Sequence, residues 1–202
     1  MAGIGANASC TREWKVVAVL SAGPASHHVV FHESEGELAA RVTDYLVEAM
    51  ARGGVAIVAA TPDHRQAFRD RLIRAGVDLA RATASGTYIE LDAAAVVETF
   101  MIHGWADPAS FWRAITPLLK VSEPGRRPVA IFTEMVALLW QRGQVNAAVD
   151  VEALWNELAK QYTFDILCAY PVAALDEPEH ADAIAEVCSA HSAAYQAAPN
   201  RR

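Results

Sequence analysis

Two rhythms of apolar and polar positions alternate along the chain. Unbroken apolar runs stand at Val29-Val30-Phe31, Val55 to Ala59 and Val129 to Phe132, and Phe164 to Tyr170 is apolar but for Asp165, as expected of strands buried on both faces. Thr87 to Leu91 instead alternates and predicts a half-buried strand. Between these runs the period is helical. Leu38, Val42, Tyr45, Leu46 and Ala49 form one stripe of a helix over 35–52 that Gly53-Gly54 ends. Thr61-Pro62 reads as a cap followed by proline at the first helical position, opening a helix over 62–75 with Phe68 and Leu72 inward and Gly76 as its stop. Asp78 and Asp92 cap further helices, and Asp107-Pro108 opens one that buries Phe111, Ile115, Leu118 and Leu119. Pro117 inside that helix predicts a kink or an early end. Three more helices are expected: a short one from Glu134-Met135 to Gly143, one over 147–161, and an Ala-rich one over 178–196.

Strands alternating with helices predict an α/β fold in three layers, a mostly parallel sheet with helices on both faces. The expected organisation is an N-terminal arm over 1–26, disordered over 1–12 and with Lys15 to Leu20 as an extra edge strand or packed arm. A core over 27–172 follows, with residues 173–202 as a closing helix and tail packed on the same domain. At 202 residues and 53% hydrophobic, the chain is long enough for one substantial core. A net charge of -7 argues against a nucleic-acid partner, because neutralising phosphates needs clustered Lys and Arg. No run approaches the roughly 18 apolar residues of a membrane span. The three cysteines, Cys10, Cys168 and Cys188, are widely spaced and form no CxxC, so neither a disulfide framework nor a zinc ribbon follows and a reducing cytoplasm is the expected compartment.

The junction after the first strand carries the most chemistry. In an α/β protein a phosphate loop would sit there, with Gly and Lys around the anion; this chain has His32-Glu33-Ser34-Glu35-Gly36-Glu37. Ser34 and Glu37 read as a capping box that takes the N–H groups a phosphate would need. ATP binding is therefore not expected. Ligands of parallel sheets gather at the carboxyl ends of strands, which selects His32, Glu33, Thr61, Asp92, Glu134 and Tyr170 for one crevice. Asp92 and Thr61 also read as plain caps, and Glu134, at the end of a buried strand, must find a partner or shift its pKa. Trp105, in a loop, is the aromatic best placed to touch a ligand. His27, His28 and His32 invite a metal, but adjacent strand residues face opposite ways and His28 and His32 stand ~13 Å apart along an extended segment. No metal and no cofactor are expected, and Cys168 reads as a core thiol.

The order of His28-Val29-Val30-Phe31-His32-Glu33-Ser34, Val55 to Ala60, Ala75-Gly76-Val77-Asp78, Ala84-Ser85-Gly86, Val129 to Met135 and Leu167-Cys168-Ala169-Tyr170 resembles the MEDS domain. That sensory domain is named for methanogens, methylotrophs and a dichloromethane-responsive regulator. The resemblance implies a degenerate relative of RecA- and KaiC-type ATPases without a phosphate loop, recognising small organic or hydrocarbon-derived compounds. Its residue-by-residue carry-over reaches His28, Glu33, Ser34, Glu134 and Tyr170. Thr133 stands where the family often has Gly, and His32 where an aromatic is common.

The reading is thus a non-catalytic sensory module. It takes a small organic ligand at the strand ends and signals to a separate kinase or transcription regulator through an exposed helix or a homodimer surface. Two alternatives remain open: a ligand-free protein-interaction module on the same scaffold, and an acid/base enzyme using Glu134 with a histidine.

Overall fold

The computed structural model describes residues 12–13, 25–120, 127–173 and 178–196. Expectations for residues 1–11 and for the segment Lys15 to Leu20 lie outside the described residues, while Arg12–Glu13 form a two-residue strand, β1. The chain then runs through β2 (Ser26–His32), α1 (Glu35–Ala51), β3 (Val55–Ala60), α2 (Pro62–Arg74), α3 (Leu79–Ala84) and β4 (Tyr88–Asp92). After α4 (Ala93–Phe100) come a small hairpin of β5 (Met101–Ile102) and β6 (Trp105–Ala106), then α5 (Pro108–Leu119), β7 (Val129–Thr133), α6 (Met135–Gln141) and α7 (Val145–Ala159). β8 (Asp165–Pro171), α8 (Ala181–Ala190) and β9 (Ala193–Gln196) complete the described chain.

The main sheet is parallel at every pairing, in the order β1-β9-β2-β8-β7-β3-β4. This is the expected three-layer α/β architecture. Side chains alternate strictly between its two faces. Val29, Phe31, Ile57, Ile131, Ile166 and Cys168 face a layer built from α4 to α8, and Val30, Val58, Phe132, Leu167 and Ala169 face α1, α2 and α3. Trp155 anchors the larger core, its ring edge-on to both Phe111 and Phe164.

The capping signals hold. Thr61, Asp78, Asp92 and Asp107 each accept a hydrogen bond from the backbone N–H three residues on. Pro117 falls in the last turn of α5, which ends two residues later at Leu119. The loop expected around Trp105 is a tight hairpin, with positive φ at both His103 (51°) and Gly104 (86°), the backbone that a two-residue turn with strand-matched twist requires.

Two expectations are corrected. The helix over 178–196 breaks into a 3₁₀ turn at Pro178–His180, α8 and the strand β9. Alanine favours helix locally, but β9 covers the edge of β2, whose backbone groups would otherwise be unpaired. The capping box is only half formed: Ser34 accepts from the Glu37 N–H, but the Glu37 carboxylate turns outward to Arg41 in a charge-assisted pair.

Candidate functional site

Connection geometry decides where a ligand could sit. The chain leaves β2 and β3 over one face of the sheet and leaves β7 and β8 over the other. β2 lies beside β8, and β7 beside β3, so both neighbouring pairs are switch points that open at their carboxyl ends. A cleft of about 80 Å³ opens there, lined by His32, Glu35, Thr61, His64, Glu134, Leu138, Gln141 and Pro171.

Glu134 organises this cleft. It follows the last residue of β7 and is buried. One carboxylate oxygen accepts the Thr61 N–H at 2.8 Å and the other meets His64 Nδ1. His64 Nε2 meets the carboxylate of the exposed Glu35, so the imidazole is clamped between two acids. The hydrogen bond to Glu134 raises the His64 pKa to about 9 against the opposing cost of burial, and the ring carries its charge at neutral pH. Phe68 stacks on it from below, with ring centroids 5.8 Å apart.

His32 is the opposite case. Its imidazole is buried at the end of β2, and Nδ1 has no hydrogen-bond partner among the described residues. Burial lowers its pKa, with Glu35 opposing. A neutral ring with an unused nitrogen thus borders the cleft beside a fixed charged pair.

The structure brings together His32, Thr61 and Glu134 of the residues singled out in the sequence. It separates the rest. Glu33 is exposed and Ser34 serves α1 as its cap. Asp92 caps α4 and pairs with Arg65 at 2.9 Å. Tyr170 is buried on the other face, stacked on Phe31, with its hydroxyl donating to Glu152 Oε1 at 2.9 Å. His28 meets Tyr195 edge-on at the β9 side of the sheet. Trp105, 61% exposed, borders a separate open groove of about 560 Å³ over α7 and α8. Asp150, Glu179, Asp182 and Glu186 line that groove, which makes it an acidic surface rather than an apolar pocket.

Sequence reasoning passed over His64. It stands three residues after the Thr61 cap, and that placement puts its ring beside the strand ends; α2 as a whole reads as a solvated, Arg-rich helix and hides it. Glu35 belonged to the acidic turn, but nothing local showed that it would reach across to α2.

Among the described residues no helix is long and apolar enough to cross a membrane. No curated protein matches the chain significantly. A family model described as MEDS, the MEthanogen/methylotroph, DcmR Sensory domain, matches residues 26–192. That span takes in β2 through α8, and the protein belongs to the MEDS family of sensory domains.

Proposed function

We propose that the cleft at the ends of β2, β3, β7 and β8 binds a small polar organic ligand, and that the domain reports its occupancy to a separate kinase or transcription regulator in the cytoplasm. The observation that carries this reading is His32 Nδ1, buried at the cleft without a partner among the described residues. An unsatisfied buried polar atom costs about 1–3 kcal/mol, which a ligand hydroxyl or carbonyl would recover. The volume, about 80 Å³, is well under the range of roughly 300–1,000 Å³ that holds drug-sized ligands. It suits a compound of a few non-hydrogen atoms. The Glu35–His64–Glu134 clamp supplies a rigid polar wall, and at a pKa near 9 His64 is a poor proton acceptor at pH 7. The clamp therefore favours binding over acid/base catalysis.

Ser34 caps α1 and Glu35 and Glu37 stand in its first turn, and this supports a scaffold that has no place for a triphosphate. The test is a thermal-shift and calorimetric screen of one- to four-carbon alcohols, aldehydes, ketones, acids and halocarbons, with magnesium ATP alongside. A true ligand at one hundred times its Kd stabilises by about 2.7 kcal/mol, and His32→Leu removes that gain while the variant remains folded. Stabilisation by ATP alone would contradict the reading of the turn. Complete silence across the screen favours the ligand-free interaction module.

A further inference from the structure

Away from the cleft, between the sheet and the layer of α7 and α8, four side chains converge. They are His27 of β2, Glu152 of α7, Cys168 of β8 and His191 at the end of α8. All four are buried, and one ligand atom from each lies within 4.8 Å of the others. His27 Nε2 stands 3.1 Å from Glu152 Oε2 and 3.4 Å from Cys168 Sγ, while Cys168 Sγ is 3.3 Å from Glu152 Oε2 and His191 Nε2 3.5 Å. The edges of a tetrahedron with bonds of ~2.0–2.3 Å are ~3.3–3.8 Å long. The spacings match.

Orientation points the same way. Asn156 gives its Nδ2 to the Ala190 carbonyl at 2.8 Å, which turns its Oδ1 toward His27 Nδ1 at 3.0 Å. His27 therefore carries its proton on Nδ1 and aims the Nε2 lone pair at the cluster. His191 Nδ1 donates to the Val187 carbonyl at 2.6 Å, and its Nε2, fully buried, makes no hydrogen bond among the described residues. Glu152 Oε1 is held by the Tyr170 hydroxyl, leaving Oε2 inward. His27, His191 and Glu152 are thus each held from behind by a hydrogen bond that turns a ligand atom inward. Without a metal ion, the Glu152 carboxylate needs a proton on one of the two imidazoles, whose Nε2 atoms stand 3.1 and 3.5 Å from it, and a divalent cation fills the same place.

We propose that His27, Glu152, Cys168 and His191 form a buried, four-ligand site for a divalent transition metal of the zinc class. Two neutral imidazoles with one thiolate and one carboxylate cancel a charge of +2, which removes the cost of an uncompensated charge in the core. Binding displaces the thiol proton to solvent as the metal–sulfur bond forms. With all four positions filled by protein and none open to water, the site is structural. It ties β2, β8 and α7 to the α8–β9 segment, whose Ser192 N–H already bonds the His27 carbonyl.

The test is elemental analysis of the full chain, purified without a metal-binding tag, followed by cobalt substitution of the stripped protein. The expected result is one zinc per chain and, with cobalt, intense tetrahedral visible bands plus a sulfur-to-cobalt charge-transfer band. Cys168→Ser abolishes that band, and a chain with Cys10→Ser and Cys188→Ser, which also gives up the disulfide at Cys188, has Cys168 as its one thiol and keeps the band even where Cys168→Ser does not fold. Asn156→Ala weakens zinc affinity ~10–100-fold by freeing the His27 ring, whereas Ile73→Ala, at an exposed position on α2, leaves it unchanged. Absence of bound metal together with no thermal shift on adding zinc to the stripped chain overturns the proposal, and so does metal held equally well by a folded Cys168→Ser or His191→Gln variant.

Discussion

Replacing His64 by Gln removes a charge clamped between Glu134 and Glu35 while keeping a side chain able to hydrogen-bond. The folded-state pKa of His64 is raised from 6.5 to about 9, a difference worth ~3.4 kcal/mol if expressed in full. Only part of it is available. The His64 side chain is 19% exposed and Glu35 is 72% exposed, so solvent screens the outer pair and the expected contribution falls to ~1–2 kcal/mol. Because the pKa is raised on folding, the native state binds the proton more tightly than the unfolded chain. The stabilisation is fully present below pH 6.5 and is lost as pH rises through about 9. Urea unfolding of both proteins at steps between pH 6 and pH 9.5 isolates this group, since other titrations cancel in the difference. The wild type should exceed His64→Gln by most of that amount at pH 6, and the gap should shrink steadily toward pH 9.5. A gap that stays constant or widens across the interval would show that the clamp is not an ion pair.

Further outcomes follow from the packing and the exposed hairpin. A Cβ added at Gly54 lies 2.8 Å from the Ala49 carbonyl oxygen and 2.9 Å from that of Pro128, and both are backbone atoms at the entrance to β3. Gly54→Ala should lose about 1–3 kcal/mol in chemical denaturation; a change under ~0.5 kcal/mol would mean that the α1–β3 turn yields freely. Trp105→Ala should shift stability by no more than ~0.5 kcal/mol, because the ring is 61% exposed, and should leave ligand affinity at the cleft as it was. A loss of binding in that variant would move the site to the α7–α8 groove.

Much of the scaffold was readable in the chain because its rules are local. Continuous apolar runs specify strands covered on both sides, and cap residues followed by proline or stopped by glycine fix helix ends to within a residue or two, as at α1 and α2. The failures were of a different kind. Ala193–Gln196 is helix-prone by composition and became a strand because an open edge of β2 was waiting beside it. Tyr170 sits at a strand end as expected, yet its ring went to the face of Glu152, since a two-residue period assigns side chains to faces and the turn count alone does not say which face holds the cleft. The acid of a capping box found Arg41 one turn on.

The sites divide along the same line. Periodicity and capping are encoded within a few residues, and they were enough for the layered α/β class, the family resemblance, the missing GxxxxGK motif and the placement of His32, Thr61 and Glu134 at strand ends. No local rule brings His64 onto Glu134 from 70 positions away, or His27 onto Cys168 across 141. Partners at such separations are chosen by strand order and by which face each crossover takes, and these are settled when the whole core packs.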